Sequence, residues 1–114
     1  MGDRAIITSW DVNKSNMNKK IGIYLHWSGY EEKVKHFLAL AKQKEIRGCD
    51  CDPQYCWARL VQIIGDEFSK TGNNDLSLGI GIVSNLDCHN YDNGVYYIDN
   101  EFNIVDHTDG SELE

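Results

Sequence analysis

The stretch Ile21-Gly22-Ile23-Tyr24-Leu25-His26-Trp27-Ser28-Gly29-Tyr30, continued by Glu31-Glu32-Lys33-Val34-Lys35-His36-Phe37-Leu38-Ala39-Leu40-Ala41, changes its hydrophobic period at Ser28-Gly29. Before the break, Ile21, Ile23, Leu25 and Trp27 alternate with Gly22, Tyr24 and His26, the period of a strand with two distinct faces. After it, Val34, Phe37, Leu38 and Ala41 recur at i, i+3, i+4 and i+7, one face of a helix. Glu31 and Glu32 in the first turn and Lys42 and Lys44 near the end suit the helix dipole. Gly48 reads as the C-terminal stop.

Upstream, Ala5 to Trp10 is a β-branched and aromatic run, a strand. The polar, Asn-rich stretch from Asp11 to Lys20 reads as the tip of an antiparallel hairpin joining it to Ile21–Trp27. Downstream, Asp52-Pro53 combines an N-cap residue with proline at the first helical position. Trp57, Leu60, Val61, Ile64 and Phe68 then follow a helical stripe that ends before Thr71-Gly72-Asn73-Asn74. Leu76, Leu78, Ile80 and Ile82 alternate in a third strand, with Gly79 and Gly81 together on its other face. Glycines there leave room for a ligand, a partner backbone or a packed aromatic. Ser84 to Asn93 is a polar loop closed by the turn signal Asn93-Gly94. Val95–Ile98 and Phe102–Val105 form a last hairpin around Asp99-Asn100-Glu101. The order ββααβββ predicts a single α+β domain over residues 1–110, an antiparallel sheet with two helices on one face. Residues 111–114 read as a tail or a vector scar.

The 114 residues carry a net charge of −7, unevenly spread. Up to Lys70 there are 11 basic and 9 acidic residues; beyond it there are 9 acidic residues and no Lys or Arg. A polymer of phosphates is a poor partner for such a chain, so direct nucleic-acid binding is not expected. A basic protein surface suits it better. No apolar h-region begins the chain and no run approaches a membrane span, so neither secretion nor membrane insertion is expected.

Cys49, Cys51, Cys56 and Cys88, with His89, offer soft donors for zinc. The C-x-C-x4-C spacing departs from the paired C-x2-C of zinc knuckles. With no secretion signal the expectation is reduced thiols, Cys49 and Cys51 in a loop and Cys56 on a helix. No metal and no cofactor are predicted.

The run Tyr24-Leu25-His26-Trp27-Ser28-Gly29 (Y-x-H-W-x-G) is accompanied by Asp50-x-Asp52, Tyr55, Ala58-Arg59-Leu60 and Asp92-Asn93-Gly94-Val95-Tyr96. Together these resemble a group of small uncharacterised proteins encoded by bacteriophages and integrated mobile elements, over about residues 4 to 106. The resemblance implies a setting, the cytoplasm of a bacterial host. It also implies a role by analogy, since short accessory phage proteins often inhibit host defence, anti-CRISPR proteins among them. It supplies no functional residues.

No Gly-rich phosphate loop, H-E-x-x-H or G-x-S-x-G motif is present, which lowers the expectation of catalysis; no catalytic residue is assigned. Two surfaces are candidates. The first is an acidic, Tyr-bearing face comprising Asp87, Tyr91, Asp92, Tyr96, Asp99, Glu101 and Asp106, expected to dock on a basic, nucleic-acid-handling host protein such as a CRISPR effector. Carboxylates there would stand where phosphates otherwise bind, and tyrosine supplies contact area at low entropic cost. The plainer reading is a solvated acidic face. The second candidate is a ligand pocket for a nucleotide signal near Tyr24, His26, Tyr55 and Arg59. Its plainer readings are a His26 that fixes the strand-to-helix turn and an Arg59 paired with Asp50 or Asp87.

Overall fold

A computed structural model describes residues 3–11, 16, 19–70 and 78–113. The elements are β1 (Ala5–Ser9), β2 (Ile21–Leu25), α1 (Glu31–Gln43), α2 (Pro53–Lys70), β3 (Leu78–Ile82), β4 (Val95–Ile98) and β5 (Ile104–Thr108). Asp75, Leu76, Ser77, the Thr71–Asn74 helix stop, most of the expected hairpin tip and Glu114 lie outside the described residues.

The five strands form one sheet in the order β3-β2-β1-β4-β5. β1 and β2 pair antiparallel, as do β2 with β3 and β4 with β5. β1 and β4 at the centre run parallel, with Ile7 opposite Tyr96 and Thr8 opposite Tyr97. The sheet is therefore mixed, not antiparallel as expected. Alternation within a strand reports its faces and says nothing of its neighbours. β3, β1 and β4 all point the same way, so the chain must cross the sheet between β3 and β4. Residues 83–94 make that crossing with a single 3₁₀ turn, Val83–Asn85, and no α-helix.

α1 and α2 cover one face. Val34, Phe37, Leu38 and Ala41 of α1 and Cys56, Trp57, Leu60, Ile63 and Ile64 of α2 are buried on Ala5, Ile7, Ile23, Leu25, Tyr96 and Ile98. These positions include the whole α1 stripe and Trp57, Leu60 and Ile64 of the α2 stripe, with Val61 and Phe68 partly buried beside them. The opposite face carries a second, smaller core. Val83, Leu86 and Cys88 of the crossing segment pack on Ile6, Tyr24, Val95 and Tyr97, with Trp10 and Leu113 beside them. Double coverage explains why all five residues of β1 and all four of β4 are buried. Their runs lack alternation for that reason. Gly81 sits under the Leu86 side chain and Gly79 beside the Tyr24 ring. The room left by the two glycines is filled from within the chain.

Several boundaries shift. Lys44 is the C-cap of α1 and Glu45 takes the left-handed conformation (φ +55°), so the helix stops before Gly48. Gly48 instead lies against the Asn100 backbone, where a Cβ would fall 2.5 Å from the carbonyl oxygen. β5 begins two residues later than expected, because Phe102, in the left-handed region and buried, belongs to the turn. Ser111–Leu113, read as a tail, is a 3₁₀ turn whose Leu113 joins the second core.

Candidate functional site

The crossing segment ends in a loop built around Asn90, whose side chain is fully buried. Its amide nitrogen donates to the carbonyls of Asp87 (3.1 Å) and Gly94 (3.3 Å). Its amide oxygen accepts from the backbone N–H groups of Asp92 (3.1 Å) and Gly94 (3.0 Å). One side chain thus holds both limbs of the loop. Tyr91, at its tip, is left in the left-handed region (φ +62°) with 83 % of its surface exposed. A bulky residue in that region costs about 1–3 kcal/mol and persists only where its surroundings impose it. The Tyr91 ring lies 4.6 Å from that of His89.

Asp87 and Asp92 flank this tip, and both face Arg4. Arg4 donates from its backbone N–H (3.1 Å) and its Nε (2.8 Å) to Asp92, and its guanidinium reaches Asp87 at 3.4 Å. These bonds from Arg4 hold the Asp92 carboxyl below its usual range. Asp87 keeps about half of its side chain open (53 %), against 14 % for Asp92. Sequence reasoning missed Arg4 and Asn90. A single Arg ahead of a strand and one Asn in a polar loop carry no local signal.

The remaining acidic candidates do not join this tip. Asp99 and Glu101 lie in the β4–β5 turn, at the other end of β4. Asp99 accepts from the backbone N–H groups of Glu101 and Asn103, both at 2.9 Å. Burial pushes its carboxyl up, but those hydrogen bonds outweigh it and hold the group low. Glu101 is exposed. Asp106 is on β5 opposite Tyr97 and accepts from the His107 N–H. Tyr96 is not a surface residue. It is fully buried, donates to the Gly29 carbonyl at 2.8 Å and stacks on His107 with ring centres 4.0 Å apart. Burial pushes its hydroxyl up to about 12. The expected continuous acidic face is thus two clusters at opposite ends of one strand.

The expected pocket is divided by the sheet. Tyr24 belongs to the face away from the helices, where its hydroxyl meets His26 Nδ1 at 2.9 Å. Burial raises the Tyr24 hydroxyl. His26 also sits edge-on to Trp27. Ser28 then turns through the left-handed region, and Gly29 donates to the Asp3 carbonyl at 2.9 Å. A Cβ on Gly29 would lie 2.3 Å from that oxygen. Ser28 and Gly29 therefore turn β2 into α1, and the His26 ring is hydrogen-bonded to Tyr24 at the end of β2. Tyr55 and Arg59 are on the outer surface of α2, across the sheet. Among the described residues no carboxylate pairs with Arg59; the guanidinium lies over the Tyr55 ring, 5.4 Å from its centre. The expected partner Asp50 is near Lys20, and Asp87 is near Arg4.

Cys49 and Cys56 are joined in a disulfide, correcting the expectation of reduced thiols at those two positions. The Gly48–Asp52 turn brings the loop back over the first turn of α2, so their Cα atoms are 5.2 Å apart. Cys51 is exposed; Cys88 is buried and donates its thiol to the Val83 carbonyl. No group of three or more His, Cys, Asp or Glu among the described residues could hold a metal ion. No helix among them is long and apolar enough to cross a membrane.

Fold and surface define a small α+β protein with a five-stranded mixed sheet, helices on one face and a crossing loop on the other. Comparison with known protein families, with characterised proteins and with solved structures finds no match in any of the three.

Proposed function

We propose that this chain is a non-enzymatic accessory protein that binds and inhibits a basic host protein, with the 87–92 loop as its contact point. One observation carries the reading. Tyr91 is held outward on a left-handed backbone by the buried Asn90 amide, between the carboxylates of Asp87 and Asp92. An exposed tyrosine on a braced loop, beside an Asp87 carboxylate that Arg4 leaves half open, can serve as an anchor residue at a basic interface. The loop is ordered before binding, which lowers the cost of association. The rest of the back portion reinforces the field, since residues 78–113 contain no Lys or Arg. Such a field speeds encounter with a basic surface and is screened by salt. The resemblance around Tyr24–Gly29 is what suggests a bacterial host, and a nucleic-acid-handling protein such as a CRISPR effector, as the setting of the partner.

The test is retention of a bacterial partner on immobilised wild type and on Tyr91→Ala and Asp87→Lys variants with unchanged melting curves. A partner held by wild type, lost with Tyr91→Ala and released by salt supports the reading. Retention unaffected by both substitutions overturns it.

A further inference from the structure

A second site of opposite charge lies on the helical side. The end of α1, the following loop and the first turns of α2 enclose an open groove of about 480 Å³. Lys44, Arg47, Tyr55 and Arg59 line it, together with Glu45 and Asp52. A separate hollow of about 330 Å³ along α2 shares Lys44, Ile46 and Arg59 with it and adds Asp66. From these residues we infer that the groove binds a small phosphorylated molecule of nucleotide size.

Three features support this. First, three cations face two acids in the groove, and with Arg47 and Asp52 paired at 3.5 Å, Lys44 and Arg59 remain against Glu45. No ion pair within 4 Å is formed by Lys44 or Arg59 among the described residues, so both charges are available to an incoming anion. Second, Arg59 is held by the face of Tyr55 rather than by a carboxylate. A guanidinium over a ring, with no carboxylate on its N–H edge among the described residues, can offer that edge to the paired oxygens of a phosphate. Third, the walls are braced. The Cys49–Cys56 disulfide ties the loop that bears Arg47 to the helix that bears Arg59. Gly48, pressed on Asn100, fixes the same loop to the β4–β5 turn.

Volume and charge choose the ligand class. The groove falls within the usual range of small-molecule sites, and the exposed Tyr55 adds an apolar surface for a flat ring. A long polyanion would meet the acidic residues 78–113 as well as the groove, so a nucleic acid is disfavoured. This site shares no residue with the Tyr91 loop, and either can fail without the other.

The experiment is calorimetric titration of the oxidised protein with ADP, with inorganic pyrophosphate and with a single-stranded oligothymidylate. Expected is binding of ADP or pyrophosphate that weakens at least about tenfold in Arg59→Glu and in Lys44→Glu. Both positions are exposed, and a melting curve confirms that each variant is folded. No heat from either small probe at millimolar concentration overturns the inference. So does binding that both charge reversals leave unchanged, or an oligonucleotide that binds more tightly than ADP.

Discussion

Arg4 grips Asp92 twice, with its backbone N–H at 3.1 Å and its Nε at 2.8 Å. The approach to β1 is thereby fastened to the loop that leads into β4, 88 positions later in the chain. Asn93 adds a bond from its N–H to the Arg4 carbonyl at 2.9 Å. Two acids that the sequence offers to a partner, Asp87 and Asp92, are thus first of all internal counter-charges.

The Asp92 carboxyl is held below its ordinary value of 3.8 by Arg4. A group whose pKa is lowered in the folded state adds stability above the unfolded value and loses it as pH falls through the folded value. The melting temperature of wild type should therefore fall more between pH 5 and pH 2.5 than that of Asp92→Asn. Parallel acid curves for the two proteins would contradict the assignment. A simultaneous Lys reversal of Asp92, Asp99 and Glu101 should also melt earlier at pH 7, because Asp92 and Asp99 both hold backbone N–H groups.

Asn90→Ala removes five hydrogen bonds around a buried amide and strands the N–H groups of Asp92 and Gly94. Leaving such groups unsatisfied costs about 2 kcal/mol, to be read as a lower urea midpoint. Tyr91→Ala should leave that midpoint at the wild-type value, since the ring is exposed and alanine keeps the same Cβ on the left-handed backbone.

Gly29→Ala should be among the most damaging substitutions in the chain. The added methyl would stand 2.3 Å from the Asp3 carbonyl oxygen and 2.6 Å from the Ala5 Cβ. Neither can retreat, because Gly29 itself bonds Asp3 and receives the Tyr96 hydroxyl. Loss of at least about 3 kcal/mol, or failure to fold, is expected in thermal unfolding.

Thiol titration separates the four cysteines. Unreduced native protein should expose one reactive thiol, Cys51, and denaturation should add Cys88. Two further thiols should appear only after reduction of Cys49–Cys56. Closing so short a loop stabilises by about 2 kcal/mol in the chain-entropy view, so Cys49→Ser with Cys56→Ser should lower the urea midpoint accordingly. Four thiols in the unreduced, denatured protein would refute the pairing.

Local patterns in the sequence determined a good deal here. The change of period at Ser28-Gly29 sets β2 against α1. The stripes Val34–Ala41 and Trp57–Phe68 name the buried faces of both helices, and Asp52-Pro53 starts α2 where the chain begins it. Each of these is decided by residues a few positions apart, so adjacent side chains are enough to read it. What lay beyond reach depends on contacts between distant segments. The parallel pairing of β1 with β4 follows from residues 83–94 passing under the sheet, and only packing of Val83, Leu86 and Cys88 there discloses it. The same long-range packing takes Tyr96 inside, gives Asp87 and Asp92 to Arg4, and separates His26 from Arg59 by the thickness of a sheet. Charge counted along the chain located an acidic back portion. The fold decided which of its carboxylates are structural, and left Tyr91 as the most exposed large hydrophobic side chain among the described residues.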